Sequence, residues 1–153
     1  MSAADPASGI TRAAVLGAGT MGHGIAQVCA QAGLEVRLFD VAAEPLARGL
    51  RGIDAFLAQG VEKGKMSAAV AQAVRARIAG TTSLAEACAD AEVVIEAVPE
   101  ELELKRRVFA EVERTAGAGA LLASNTSSLS IGAIAAGLGH PERFLGMHFF
   151  NPV

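Results

Sequence analysis

A doubly wound α/β fold with a mainly parallel sheet is predicted by three features of the sequence. Short apolar runs alternate with segments of helical pattern almost throughout. A glycine-rich turn, Gly17 to Gly22 (GAGTMG), joins the first apolar run to the first helical segment. The stretch between Asp40 and Ile78 is longer than one crossover needs, which predicts a helical hairpin over 41–77, after the second strand. At 153 residues the chain reads as one domain, 1–153, with that hairpin inside it.

The elements follow in order. Met1 to Ile10 is small and polar and is expected to fray. Arg12 to Gly17 suits a buried strand, and Met21 to Ala32 a helix that stops at Gly33. Glu35 to Asp40 is the second strand, with Val36 and Leu38 on one face. From Glu44 to Gln59, Leu46, Leu50, Ile53 and Leu57 recur at helical spacing. Ser67 is a good N-cap for a second hairpin helix, from Ala68 to Arg77. Ile78 to Thr81 is a short strand, and Ser83 to Asp90 a short helix. Glu92 to Val98 (EVVIEAV) is the most strand-like run; Pro99 ends it, and a charged helix runs from Glu101 to Arg114. Ala120 to Ser124 is a strand, Ser130 to Leu138 a helix, and Phe144 to Phe150 the last strand.

Composition excludes several classes. The net charge of −3 argues against nucleic acid or an anionic membrane as the main partner. No apolar run is long enough to span a bilayer, and Met1 to Gly9 lacks the basic and apolar segments of a secretory signal, so a cytoplasmic protein is expected. Two cysteines, Cys29 and Cys88, and three scattered histidines make neither a disulfide framework nor a metal site.

The glycine turn has the Rossmann form G-x-G-x-x-G in its required strand–turn–helix setting. Gly17 permits the tight turn, Gly19 lets backbone approach a pyrophosphate, and Gly22 lets helix and strand pack closely. Free N–H groups of the helix start, at Thr20 and Met21, then face the phosphates. Asp40 lies 23 residues after Gly17, at the end of the second strand. A carboxylate there accepts ribose hydroxyls and repels a 2′-phosphate, which selects NAD over NADP. His23 in the same loop reads as an exposed helix residue, and no role is assigned to it or to His140.

Three further segments are more specific: EAVPEELELK (Glu96–Lys105), SNTSSL (Ser124–Leu129) and RFLGMHFFNPV (Arg143–Val153). With GAGTMGHGIAQ they resemble the NAD-binding domain of the L-3-hydroxyacyl-CoA dehydrogenases, including the short-chain 3-hydroxybutyryl-CoA enzymes, from Ile10 to Val153. The resemblance implies reversible oxidation of an L-3-hydroxyacyl-CoA to the 3-ketoacyl-CoA with NAD, in fatty-acid or related acyl-CoA metabolism. It implies that His148 is the catalytic base, an imidazole that takes the hydroxyl proton while a hydride leaves for the cofactor. Ser127 would bind the substrate oxygen and touch the nicotinamide end, and Asn151 would lie in the substrate site. Asn125 would sit near the nicotinamide ribose, Ala97 and Val98 beside the adenosine half, and Glu100 and Lys105 against the cofactor.

Each residue also has an ordinary reading: a buried histidine among phenylalanines, serines that cap or turn, and solvated charges on the face from Glu101 to Arg107. In the family the hairpin reaches over the acyl-CoA, and Lys63 matches a lysine that approaches its phosphate. A serine of the family falls on Phe56 here, a side chain that makes no hydrogen bond to CoA. The resemblance also implies a following all-helical domain that carries the dimer interface and the carboxylate orienting the catalytic histidine. A 153-residue piece alone is therefore expected to bind NAD but turn over little. Two alternatives stand beside this reading: an NAD-binding module without catalysis, which would not need Ser127, His148 and Asn151 together, and a 3-hydroxy-acid dehydrogenase that does not use CoA.

Overall fold

In a computed structural model, which describes residues 9–153, the apolar runs pair as one six-stranded sheet, parallel throughout. The strands are β1 (Arg12–Leu16), β2 (Glu35–Phe39), β3 (Ile78–Thr81), β4 (Val93–Glu96), β5 (Leu121–Ser124) and β6 (Phe144–Gly146), in spatial order β3-β2-β1-β4-β5-β6. That is the doubly wound order, and its switch point lies between β1 and β4. The frayed start expected over Met1 to Ile10 falls, except for its last two residues, outside the described residues.

Helices cover both faces: α1 (Thr20–Gln31), α2 (Ala43–Glu62) and α3 (Ala68–Ala76) on one, α4 (Leu84–Cys88), α5 (Leu102–Thr115) and α6 (Ile131–Ala135) on the other. The period-2 alternation of a strand sends neighbours to opposite cores. Val15, Leu38 and Ile95 pack with Ile25, Ile53, Leu57 and Val74. Ala14, Leu16, Val94 and Leu122 pack with Cys88, Phe109, Val112 and Ile134. Removing each larger side chain from water stabilises the fold by about 1.5–3 kcal/mol. Phe109 meets Phe144 edge to face at 4.7 Å.

The two helices expected between the second and third strands are α2 and α3. Ile53 and Leu57 dock α2 on the sheet, and Ser67 caps α3 by accepting the Val70 N–H at 3.1 Å. Several elements are shorter than the sequence predicts, and three of them show why. The last strand stops at Gly146, not Phe150, because its partner β5 ends at Ser124. Met147 N–H reaches the Ser124 carbonyl at 2.9 Å, and Phe149 N–H then goes to the Asn125 side chain. The helix expected over Ser130–Leu138 covers only Ile131–Ala135, before Gly137 at φ +97°. β4 ends at Glu96 because the Val98 N–H turns back to the Glu96 carboxylate at 2.8 Å. No helix among the described residues is long and apolar enough to cross a membrane.

Candidate functional site

All strands end at the same edge of a parallel sheet, so the loops after β1, β2, β4, β5 and β6 gather there. Gly17 follows β1 with φ +96°, and a Cβ on it would come within 2.7 Å of the Ala97 carbonyl oxygen. Only glycine combines that backbone with so close a neighbour. A Cβ on Gly22 would overlap the Gly17 carbonyl, so the start of α1 lies directly on the turn. Gly19 is the N-cap of α1 and has no side chain to cap it, which leaves the first-turn N–H groups, those of Thr20 and Met21 among them, for an anion. Asp40, after β2, accepts the Ala18 N–H on Oδ2 at 3.0 Å and the Ala42 N–H on Oδ1 at 3.3 Å. It therefore braces the glycine turn, and its carboxylate keeps capacity for ligand hydroxyls. An uncapped helix start beside a carboxylate is the donor and acceptor set that a dinucleotide requires, so these residues fit NAD.

Across the switch point, one cleft of ≈ 330 Å³ is lined by Met21, Ala97, Val98, Glu100, Lys105, Asn125, Ser127, His148 and Asn151, together with Phe149 and Phe150. The structure thus brings together nine residues that the sequence reading singled out. Lys63 is not among them: it is the exposed C-cap residue of α2, at the hairpin tip. Another cavity, of ≈ 260 Å³, lies around Arg12, Arg37 and Arg77 and holds none of the expected site residues.

Beneath the cleft lies a charged network. Glu96 and Lys105 are buried and meet at 2.6 Å. Glu96 also accepts from Ser124 Oγ at 2.6 Å and from the Val98 N–H, while Lys105 donates to the Val98 carbonyl at 3.2 Å. Lys105 is therefore not one of the solvated charges of a helix face; its own first turn carries it inward. Its ammonium lies 3.5 Å from Glu100, whose carboxylate accepts from Thr126 Oγ1 at 2.6 Å and from both the N–H and the hydroxyl of Ser127. Burial pushes the Glu100 carboxyl up, but Thr126, the Ser127 N–H, Lys105 and the Ser127 hydroxyl together outweigh it and hold it down at about 2.

A carboxyl whose folded pKa lies below its unfolded 4.5 stabilises the fold fully above that value, and the contribution is lost as pH falls from 4.5 toward about 2. Glu100→Gln is therefore expected to lose less stability than the parent between neutral pH and about pH 3, read from urea midpoints at each pH. Equal losses would contradict this assignment.

Ser130, not Ser127, caps α6 by accepting the Ala133 N–H at 3.2 Å, so the hydroxyl of Ser127 is free of capping duty and exposed at the cleft. Asn125 uses its Oδ1 to hold the Phe149 N–H at 2.8 Å, which positions the segment carrying His148. His148 itself lies beyond β6 and is exposed, its ring tilted on Phe150 at 4.9 Å. It is not a histidine buried between aromatics. Burial pushes both thiols, Cys29 and Cys88, up to about 11, which keeps them protonated and unreactive.

Two features escaped sequence reasoning. Glu96 reads in the sequence as part of a strand and as the start of EAVPEELELK, with no role of its own, although a carboxylate within an apolar strand and a lysine nine residues later are a readable sign of a buried pair. His23 is half-buried and not simply exposed: its Nδ1 lies 2.6 Å from the Gly19 carbonyl oxygen. Nothing in the sequence signals that contact.

Residues 12–153 match the family model described as the NAD-binding domain of 3-hydroxyacyl-CoA dehydrogenase. The chain is 46% identical over 139 residues to the 3-hydroxyadipyl-CoA dehydrogenase of Escherichia coli, covering 91% of this chain and 29% of that protein. Among solved structures, the 3-hydroxybutyryl-CoA dehydrogenase of E. coli superposes with a TM-score of 0.91 at 44% identity, over 94% of this chain and 30% of that one. The (S)-3-hydroxybutyryl-CoA dehydrogenase of Ralstonia eutropha does so with 0.90 at 40% identity, over 94% and 50%. The chain spans less than half the length of such curated relatives.

Proposed function

The chain belongs to the family of 3-hydroxyacyl-CoA dehydrogenase NAD-binding domains, and from that premise we propose that it is the cofactor half of an enzyme oxidising L-3-hydroxyacyl-CoA to 3-ketoacyl-CoA. The observation that carries this reading is the meeting of Ser127 and His148 in the cleft that Ala97 and Val98 border. NAD, when bound, supplies the hydride acceptor. Gly17, Gly19, Thr20, Met21 and Gly22 hold its diphosphate, and Asp40 the adenosine ribose. Asn125, Glu100 and Lys105 shape the nicotinamide end.

In the free chain the Ser127 hydroxyl donates to Glu100; with substrate bound it turns to donate to the oxygen of the substrate hydroxyl, whose own proton is left for His148. His148 then removes the proton of that hydroxyl as the C–H bond breaks. Among the described residues no carboxylate bonds to the His148 ring, which lies against Phe150. The orienting carboxylate is assigned to a helical domain of the whole protein, as is a homodimer interface. A cytoplasmic setting and short-chain substrates belong to the same reading. Lys63, at the hairpin tip, is assigned to a phosphate of the acyl-CoA, and Asn151 to the substrate.

In the whole protein, 3-hydroxybutyryl-CoA is expected to yield NADH at a rate far above free 3-hydroxybutyrate, followed by absorbance. Equal rates would favour a hydroxy-acid dehydrogenase that does not use CoA. No NADH from either would favour a cofactor-binding module.

A further inference from the structure

His23, just after the glycine turn, has a polar side chain that the reaction leaves without a task. It stands one turn into α1, and its surroundings are specific. The Gly19 carbonyl accepts twice from this residue: from the backbone N–H at 3.1 Å and at the ring Nδ1 at 2.6 Å. A carbonyl only accepts, so Nδ1 carries the hydrogen and fixes the tautomer. The other side of the ring rests on α2 at Gly52, where a Cβ would stand 3.1 Å from Nε2. The same face of α2, one turn earlier, lies on the turn at Gly49, where a Cβ would stand 2.6 Å from the Ala18 carbonyl oxygen. The imidazole is thus wedged between the turn and the hairpin helix.

We propose that His23 is a positioning residue for cofactor binding: its ring N–H locks the Gly19–Thr20 peptide so that the Thr20 N–H faces the diphosphate. The peptide plane couples the two groups. Because a peptide is rigid and trans, holding the Gly19 oxygen along the helix axis forces the Thr20 N–H outward, to the uncapped end. Gly19 has no side chain to resist rotation of that peptide, and a Cβ there would meet nothing within 4 Å, so packing does not fix it. The clamp supplies what glycine lacks. The inference rests on the reading of the turn as the NAD diphosphate cradle.

The test uses the 153-residue chain and three variants-by-ligand comparisons, with circular dichroism to confirm folding. Asparagine places its amide N–H where Nδ1 stands, whereas leucine keeps bulk without a donor. His23→Leu is expected to weaken NAD by about three- to ten-fold, the worth of one ordered hydrogen bond, and His23→Asn by less than about two-fold. Adenosine, which lacks the diphosphate, is expected to bind the parent and His23→Leu alike in NMR titrations. Full affinity of His23→Leu for NAD would overturn the proposal. So would an equal loss in His23→Asn, or an equal loss for adenosine, which would mark a structural role only. A parent chain that binds no NAD would instead overturn the reading on which the proposal rests.

Discussion

Replacing His148 by glutamine in the whole protein is expected to lower turnover with 3-hydroxybutyryl-CoA by about two to four orders of magnitude, the size of a general acid–base contribution. Glutamine keeps the approximate bulk but takes no proton. The ring is exposed at the cleft mouth and, among the described residues, bonded to no backbone group, so the fold loses little with it. NAD affinity should barely change, because the proposed diphosphate cradle is the glycine turn after β1 and does not include the imidazole. Ser127→Ala should cost less, since it removes one hydrogen bond and no proton acceptor. In the 153-residue chain alone, turnover should be near zero for parent and variant alike. Normal turnover of His148→Gln in the whole protein would assign the base to another group.

Lys105→Met is expected to destabilise the chain by about 3–5 kcal/mol, the usual cost of leaving one member of a buried ion pair unpaired. Glu96 is fully buried at 0% exposure and Lys105 nearly so at 2%, so water cannot replace the ammonium. The loss falls on a junction: Glu96 also holds Ser124 and the Val98 N–H, and Lys105 the Val98 carbonyl. The double variant Glu96→Gln/Lys105→Met leaves no isolated charge and should recover most of the stability. Urea unfolding of the two variants and the parent checks this. A single variant as stable as the double would show that the pair is not what holds the cleft floor.

The parts legible in the sequence are those written in local pattern. Leu46, Ile53 and Leu57 announce α2 by helical spacing and are buried, as the pattern requires. Ser67 announces its cap, and GAGTMG with Asp40 announces a turn and a carboxylate that meet in space, Ala18 N–H to Asp40 Oδ2. What the sequence hides depends on partners far along the chain. The run from Phe144 to Phe150 has strand composition to its end, but its length is set by β5, which stops at Ser124. Lys105 sits in a charged segment, and only the crossing of α5 over the end of β4 buries it. Ser127 reads as one of four hydroxyl residues in NTSSLS; its place in the cleft, beside a Glu100 that lies 27 residues earlier, sets it apart. His23 reads as a surface residue because Gly52, which borders its ring, arrives from another helix.

Calorimetric titration of the 153-residue chain with NAD and NADP asks whether the turn after β1 and the carboxylate after β2 form an NAD site. Saturable binding of NAD and weaker binding of NADP are expected, and Asp40→Ala should lose NAD affinity with a narrowed preference, since acceptor and repelling charge leave together. Equal affinity of the parent for both dinucleotides, or an unchanged preference in Asp40→Ala, would contradict an NAD site there.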